Sequence, residues 1–467
     1  MNKKLFPILS AFLLLFSLIE KGQATETYRP ETSVAGFIQL PGSGRQVYNF
    51  NPGWRFFKGD IHGAESVDFD DRSWTIVSTP HTVELMPAEA SGCRNYQGPA
   101  WYRKHFVLPA ETKGKRVLIH FEAAMGKQVL YLNGKRIQEH VGGYLPFTLD
   151  LTTNGIQAGD SCLLAIFVDN SNDKSFPPGK PQYTLDFAYH GGIYRDVWMI
   201  AKSPVSITDP LDSQTVAGGG VFVHFDKISE KSAQVYVNTE LQNDNQHTET
   251  VTVETTLTDA DGKVIKRTSG KLSLKSGEKK IIRQQIEVKS PKLWSPDAPY
   301  LYKVQSRIKK GNQSIDGGIT RIGIRLAEFR GKDGFWLNGK PFVQLVGANR
   351  HQDFAYVGNA LPNSQQWRDA KRLRDAGCTI IRVAHYPQDP SFMDACDELG
   401  MFVIVATPGW QYWNKDVKFG ELVHQNTREM IRRDRNHPSV LMWEPILNET
   451  RYPLDFALKA LEITKEE

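Results

Sequence analysis

The 467-residue sequence predicts a multidomain chain: an all-β sandwich of jelly-roll type, an immunoglobulin-like β-sandwich, then the first half of a (β/α)8 TIM barrel. Three observations predict it. From about Gly36 to Ala201, short alternating segments are broken by turn residues with no long helical period. From about Pro204 to Leu326 the strands become more polar and alternate cleanly. Past Phe329 strands alternate with helices, the rhythm of parallel β/α units. At about 150 residues per domain the length also fits three domains.

Composition narrows the function classes. With 40% hydrophobic residues the chain can bury several cores, which excludes disorder and a small disulfide-stapled scaffold. A net charge of +5 with no basic cluster excludes nucleic acid as a partner. Ten Trp, 16 Tyr and 24 Phe supply the flat faces from which apolar and sugar-binding clefts are built. Cys93, Cys162, Cys378 and Cys396 are too dispersed for a disulfide framework, and Cys378 and Cys396 read as small buried hydrophobes. No metal-ligand spacing occurs, and no cofactor is expected.

Residues 1–24 read as a signal peptide: Asn2-Lys3-Lys4, an apolar run from Leu5 to Ile19, and small residues at Gly22-Gln23-Ala24. The run is short for a membrane span of about 20 residues, so a periplasmic or secreted protein without an anchor is expected. A polar leader covers residues 25–35. Residues 25–203 form the first sandwich, with strands at Arg116–Glu122, Gln128–Leu132 and Cys162–Val168 and a hairpin at Asn133-Gly134. Residues 204–327 form the second, with a strand at Ala233–Leu241 and a hairpin at Asp261-Gly262.

Residues 328–467 hold the β/α units. Asn338-Gly339 closes a hairpin, and Phe342–Gly347 reads as a buried strand. Helices are expected at Ser364–Ala376, Ser391–Leu399, Glu421–Arg435 and from Leu454, with strands at Thr379–Val383, Met401–Val405 and Ser439–Trp443. A closed barrel takes about 250 residues, so this stretch has room for about four units, and a longer parent enzyme is expected.

Polar residues just after barrel strands face the active site. Here these are Asn349-Arg350-His351-Gln352-Asp353, Arg382 with His385-Tyr386-Pro387, and Asn448-Glu449. Breaking a glycosidic bond needs one carboxylic acid to protonate the leaving oxygen and a second carboxylate across the ring. Glu449 suits the first role, with the adjacent amide able to hold a sugar hydroxyl. Glu444 is a rival acid without that amide. Trp410-Gln411-Tyr412-Trp413 could stack a sugar or form a packing cluster, and His437 reads as part of a turn.

Six motifs in order carry a resemblance. They are Gly191-Gly192-Ile-Tyr-Arg195-Asp-Val, Leu293-Trp-Ser-Pro-Asp-Ala-Pro-Tyr300, Arg382…His385-Tyr-Pro, Cys396-Asp-Glu-Leu-Gly400, Arg433-Asp-Arg-Asn-His-Pro-Ser439 and Asn448-Glu449. Through them the sequence resembles the family 2 glycoside hydrolases, which include β-galactosidases, β-glucuronidases and β-mannosidases. The resemblance implies a retaining exo-β-glycosidase, with β-galactosidase foremost and a glycoside or oligosaccharide as substrate. It implies Glu449 as general acid/base, Asn448 on the sugar 2-hydroxyl and His385 on the non-reducing sugar. Arg382 would orient the carboxylate pair, Asp186 would reach the substrate from the first domain, and His351 would line the same site. The family's nucleophile is a second Glu on a late barrel strand, outside this sequence. Two features differ from the family pattern: the bulky Glu444-Pro445-Ile446-Leu447 before Asn448, and Ala406-Thr407-Pro408-Gly409 where an acid often ends strand three. A non-catalytic carbohydrate-binding remnant is the remaining alternative.

Overall fold

Hairpin chemistry and strand alternation build the first two domains. The computed structural model describes residues 39–86, 95–213, 215–342 and 344–467. The expected signal peptide, the polar leader and Cys93 lie outside the described residues. In the first domain a six-stranded sheet faces a four-stranded one (Gln46–Asn49, Val197–Lys202, Arg116–Phe121, Phe147–Asp150). Trp54, Tyr102, Ile119, Phe121, Leu130 and Ile166 fill the space between them. Ser161–Asp169 runs through the middle of the larger sheet with six of its nine residues buried. Asn133 and Gly134 turn tightly between Gly126–Leu132 and Lys135–Gly142, both with positive φ (50° and 82°), as a type I′ hairpin requires.

In the second domain Ser232–Asn243 alternates between buried and half-buried residues and pairs with Val221–Asp226 and Lys279–Lys289. A second sheet runs Val264–Leu274, Glu249–Thr258, Tyr302–Lys310, Gln313–Ile322. Asp316, fully buried, links the two sandwiches: it accepts two bonds of 2.7 Å from Arg45 and one from the Ile207 amide.

The third domain is the first part of a TIM barrel. Four parallel strands stand side by side: β1 (Gly347–Arg350), β2 (Ile380–Val383), β3 (Phe402–Ala406) and β4 (Val440–Glu444). Helices α1 (Asn363–Asp375), α2 (Pro390–Leu399), α3 (Val417–Asp434) and α4 (Leu454–Glu466) follow them in turn. Ile381, Val383, Phe392, Met393, Val403 and Val405 form the core between strands and helices, with Cys396 among them. Helix α2 shows how the sequence sets its ends. Asp389 caps it by accepting from the Ser391 amide, Pro390 opens the first turn, and Gly400 closes it with φ 71°. A Cβ at Gly400 would also lie 2.2 Å from the Pro296 carbonyl, so the position admits only glycine.

The expected strand Phe342–Gly347 is corrected. Phe342 still belongs to the preceding hairpin, donating to the Phe335 carbonyl, and pairing with the β2 segment starts only at Val346. Among the described residues β1 pairs only with β2, and Val346 to Asn349 are exposed. Helix α3 begins four residues earlier than the expected Glu421, because Asp416 caps it at the Lys418 amide.

The second sandwich grips the barrel through charge and hydrogen bonds. Trp294 donates to the Asp397 carbonyl at 2.9 Å, Arg325 donates to the Pro438 carbonyl at 2.6 Å, and Arg321 pairs with Asp394 and Glu398. His437 Nδ1 lies 2.6 Å from Asp397 Oδ2. Burial disfavours its imidazolium, but the Asp397 charge and hydrogen bond outweigh this and hold its pKa up at about 9. A pKa raised on folding stabilises fully below the unfolded value of about 6.5 and loses that contribution as pH rises toward 9. The chain is therefore expected to unfold at lower urea at pH 9 than at pH 6.5. His437→Gln should remove most of that difference; an equal difference in both proteins would contradict it. Among the described residues no helix is long and apolar enough to cross a membrane.

Candidate active site

The strand ends bring five of the sequence-selected residues, Arg382, His385, Asn448, Glu449 and His351, to one rim. Arg382 lies within β2, and His385 follows two residues after its end, joined to Ala384 by a cis peptide bond. Asn448 and Glu449 lie on the exposed turn after β4, with Glu449 at φ 58°. A non-glycine residue in this region costs of order 1 kcal/mol, and such residues gather at functional sites.

Arg382 forks onto Glu444 with bonds of 2.8 and 2.6 Å and donates a third, 2.9 Å, to Asn448 Oδ1. The sequence reading has Arg382 orienting the carboxylate pair; here its carboxylate partner is Glu444, the rival acid. A bidentate fork fixes the orientation of both groups, so Glu444 is committed to Arg382. Asn448, with its carbonyl oxygen spent on Arg382, turns its NH2 group outward as a donor. That is the polarity needed to hold a hydroxyl oxygen.

Two imidazoles line the rim. The His385 ring lies parallel to Trp410 at 5.2 Å. Burial and then the nearby Arg382 charge push its pKa down to about 3, so it is neutral. Its buried Nδ1 has no hydrogen-bond partner among the described residues. His351 stacks on Phe187 at 4.6 Å and lies 3.2 Å from the Tyr386 hydroxyl. Its pKa is also lowered, by burial, against the opposing pull of Asp353 and Asp186. A neutral ring offers one donor and one acceptor nitrogen, which suits a polyol better than an ion.

The first sandwich completes the rim. Asp186 is exposed on the segment that carries the buried Phe187 and Tyr189, close enough to act on the charges of His351 and Lys180. Beneath, Tyr144 of the first sandwich stacks flat on Tyr386 at 3.9 Å, and Leu185, Phe187, Tyr189 and Tyr194 close the seam. The aromatic loop divides between its two expected roles. Trp410 belongs to the rim, whereas Tyr412 and Trp413 pack with Phe419, Tyr452 and Phe456.

Arg350 turns away from the rim. It is buried and bonds Asp369 and Gln366, at 2.6 and 2.9 Å, as well as Gln388. Lys180 escaped the sequence reading, as did its bond to Gln411 of the aromatic loop; the two meet across 231 positions, and no local signal pairs them. The grouping of Asp394, Asp397 and His437 has metal-ligand proximity, but Arg321 and the charged His437 already balance its carboxylates. A cavity of about 230 Å³ at the junction of the three domains is lined by Arg45, Lys202, Arg321 and Arg433 and by none of the rim residues.

Three domain models of one family match the chain in order. They are the sugar binding domain of glycosyl hydrolases family 2 at residues 64–204, glycosyl hydrolases family 2 at 219–325, and its TIM barrel domain at 329–466. A β-galactosidase of Thermoanaerobacter pseudethanolicus is 36% identical over 426 residues, covering 90% of this chain and 54% of the relative. A β-glucuronidase of Formosa agariphila is 32% identical over 421 residues, covering 87% of this chain and 42% of the relative. Among solved structures, a Bacteroides uniformis β-glucuronidase matches with TM-score 0.80 at 30% identity, over 91% of this chain and 51% of that one. The chain thus spans about half the length of the relatives it matches.

Proposed function

The chain belongs to glycosyl hydrolase family 2, and from that premise we propose that it is the acid/base-bearing part of an exported, retaining exo-β-galactosidase. The observation that carries the proposal is the rim itself: Asn448-Glu449 exposed beside Arg382, the neutral His385 and Asp186. Glu449 protonates the leaving oxygen and later takes a proton from water, and Asn448 donates to the hydroxyl next to the reacting carbon. His385, His351 and Asp186 hold the remaining hydroxyls.

Retention needs a second carboxylate about 5–5.5 Å from the acid. Glu444 is committed to Arg382. We assign the nucleophile to barrel units beyond this chain, a reading supported by relatives about twice as long. The exposed Leu454, Leu458 and Leu461 of α4 and Met442 of β4 support it too, as apolar side chains that further units would cover. The β-glucuronidase reading keeps a specific support, since the relatives so named match over most of this chain.

The test is a panel of p-nitrophenyl β-galactoside, β-glucuronide and β-mannoside, given to the chain alone and to the chain joined to the units that close its barrel. The closed barrel should hydrolyse the galactoside at least about tenfold faster than the others, and the chain alone should hydrolyse none. A faster glucuronide selects the second reading. Turnover by the chain alone contradicts the placement of the nucleophile.

A further inference from the structure

The loop that carries Asp186 also delivers a cation to the acid/base residue. Lys180 is 8% exposed, with its ammonium 3.9 Å over the Trp410 ring. Its Nζ donates to Gln411 Oε1 at 2.5 Å, and Gln411 Nε2 donates in turn to Glu449 Oε2. The Gln411 amide nitrogen of the backbone donates to Thr450 Oγ1 at 2.9 Å, which ties the two loops beside the same carboxylate.

The surroundings hold this chain of bonds in place. Asn414 donates to the Lys174 carbonyl at 2.7 Å and the Tyr412 hydroxyl to the same carbonyl at 3.3 Å, so the sandwich loop is docked on the barrel loop. Gly179 passes so close that a Cβ there would meet the Tyr412 ring at 2.5 Å. Gln411 has φ 52° and Glu449 φ 58°, so both members of the second bond sit in the left-handed region. Two strained residues bonded to each other indicate a geometry fixed by its neighbours.

We propose that Lys180 is a positioning residue for Glu449, acting through Gln411. This inference rests on reading Glu449 as the acid/base. An ammonium only donates, so Lys180 dictates which end of the Gln411 amide faces it, and the NH2 end must then face Glu449. An NH2 group has only hydrogens to offer, so Oε2 is always the acceptor. The transferable proton is thereby confined to Oε1, which takes no hydrogen bond among the described residues and is left for the leaving oxygen. Without Lys180 the amide can turn over, and Gln411 Oε1 can then accept the Glu449 proton and hold it away from substrate.

Asp186 from the sandwich loop and Glu449 after β4 act on the Lys180 ammonium, and Lys180 in turn acts on His385, which also feels Arg382. Burial lowers the Lys180 pKa, while Asp186 and Glu449 pull it back up. A hydrogen bond donated to a carboxyl oxygen is stronger to the charged form, so the Gln411 Nε2 bond to Glu449 Oε2 is the contact that removal of Lys180 disturbs.

The test titrates the Glu449 carboxyl by ¹³C NMR in the 467-residue chain labelled at glutamate Cδ, the resonance being assigned by its loss in Glu449→Gln. In Lys180→Met and in Gln411→Leu the pH at which this resonance moves should rise by about 0.5 unit or more, and Lys180→Arg should keep it near the unsubstituted value. No movement in Lys180→Met overturns the proposal. So does an equal movement in Lys180→Arg, which would mean that loop packing rather than the donated bond is responsible. The titration needs no turnover, so it stands or falls separately from the hydrolytic role of Glu449.

Discussion

Replacing Arg195 by Ala is expected to destabilise the chain by about 3–5 kcal/mol, the range for removing one partner of a buried ionic group. Arg195 is fully buried where the first sandwich meets the barrel. It donates to the Tyr144 carbonyl at 3.1 Å on its own side, and to Gln352 Oε1 at 3.1 Å and the Pro387 carbonyl at 2.8 Å across the seam. Its Nε lies 3.8 Å from Asp389, the residue that caps α2. Glu122 is nearby, pushed up well above the ordinary carboxylate range by burial and then by the charges of Asp196 and Asp389, with Arg195 opposing. Truncation would leave these acids facing one another with less positive charge between them. Urea unfolding followed by tryptophan fluorescence reads the loss. Arg195→Lys keeps the charge but not the planar fork, and should fall between the two. A change below about 1 kcal/mol in Arg195→Ala would mean that the aromatic stacking of Tyr144 on Tyr386 holds the seam without it.

The effect reaches the site because Pro387 and Gln352 flank His385 and His351. The first sandwich thus does more than sit beside the barrel. Its Arg195 fixes the floor of the rim, and its Asp186 and Lys180 reach the rim itself.

Much of this was legible in the sequence because its cause is local. Asn133-Gly134 announces a tight hairpin since few other pairs tolerate two positive φ values. Gly400 marks the end of α2 by its left-handed backbone, and the expected start at Ser391 lies one residue inside the helix that Asp389 caps. Asn448-Glu449 could be chosen because the residues after a barrel strand face the site. What escaped depends on partners far along the chain. β1 starts later than its apolar run because Phe342 is still engaged by the preceding hairpin, donating to the Phe335 carbonyl. Arg350 is adjacent to Asn349 but points to the other face of β1, as every second strand residue must, and so it serves α1 rather than the rim. The fork of Arg382 on Glu444 joins two different strands, and the link from Lys180 to Gln411 joins two domains. Neither pairing has a sequence spacing that could betray it.

The central claim is that Glu449 is the proton donor, and Glu449→Gln in the closed barrel tests it most directly. The substitution keeps the shape of the side chain and its ability to accept from Gln411, but it carries no acidic proton. A positioned general acid contributes about 10²–10⁴ in rate, most where the leaving group is basic. The expected result is a loss of kcat/KM in that range on a disaccharide substrate. The loss of kcat/KM should be much smaller on a 2,4-dinitrophenyl glycoside, whose leaving group departs without a proton, while kcat on it falls because Glu449 is also the base for water, and the unfolding midpoint should not change. Equal, near-wild-type rates on both substrates would contradict the assignment and pass the acid role to another residue.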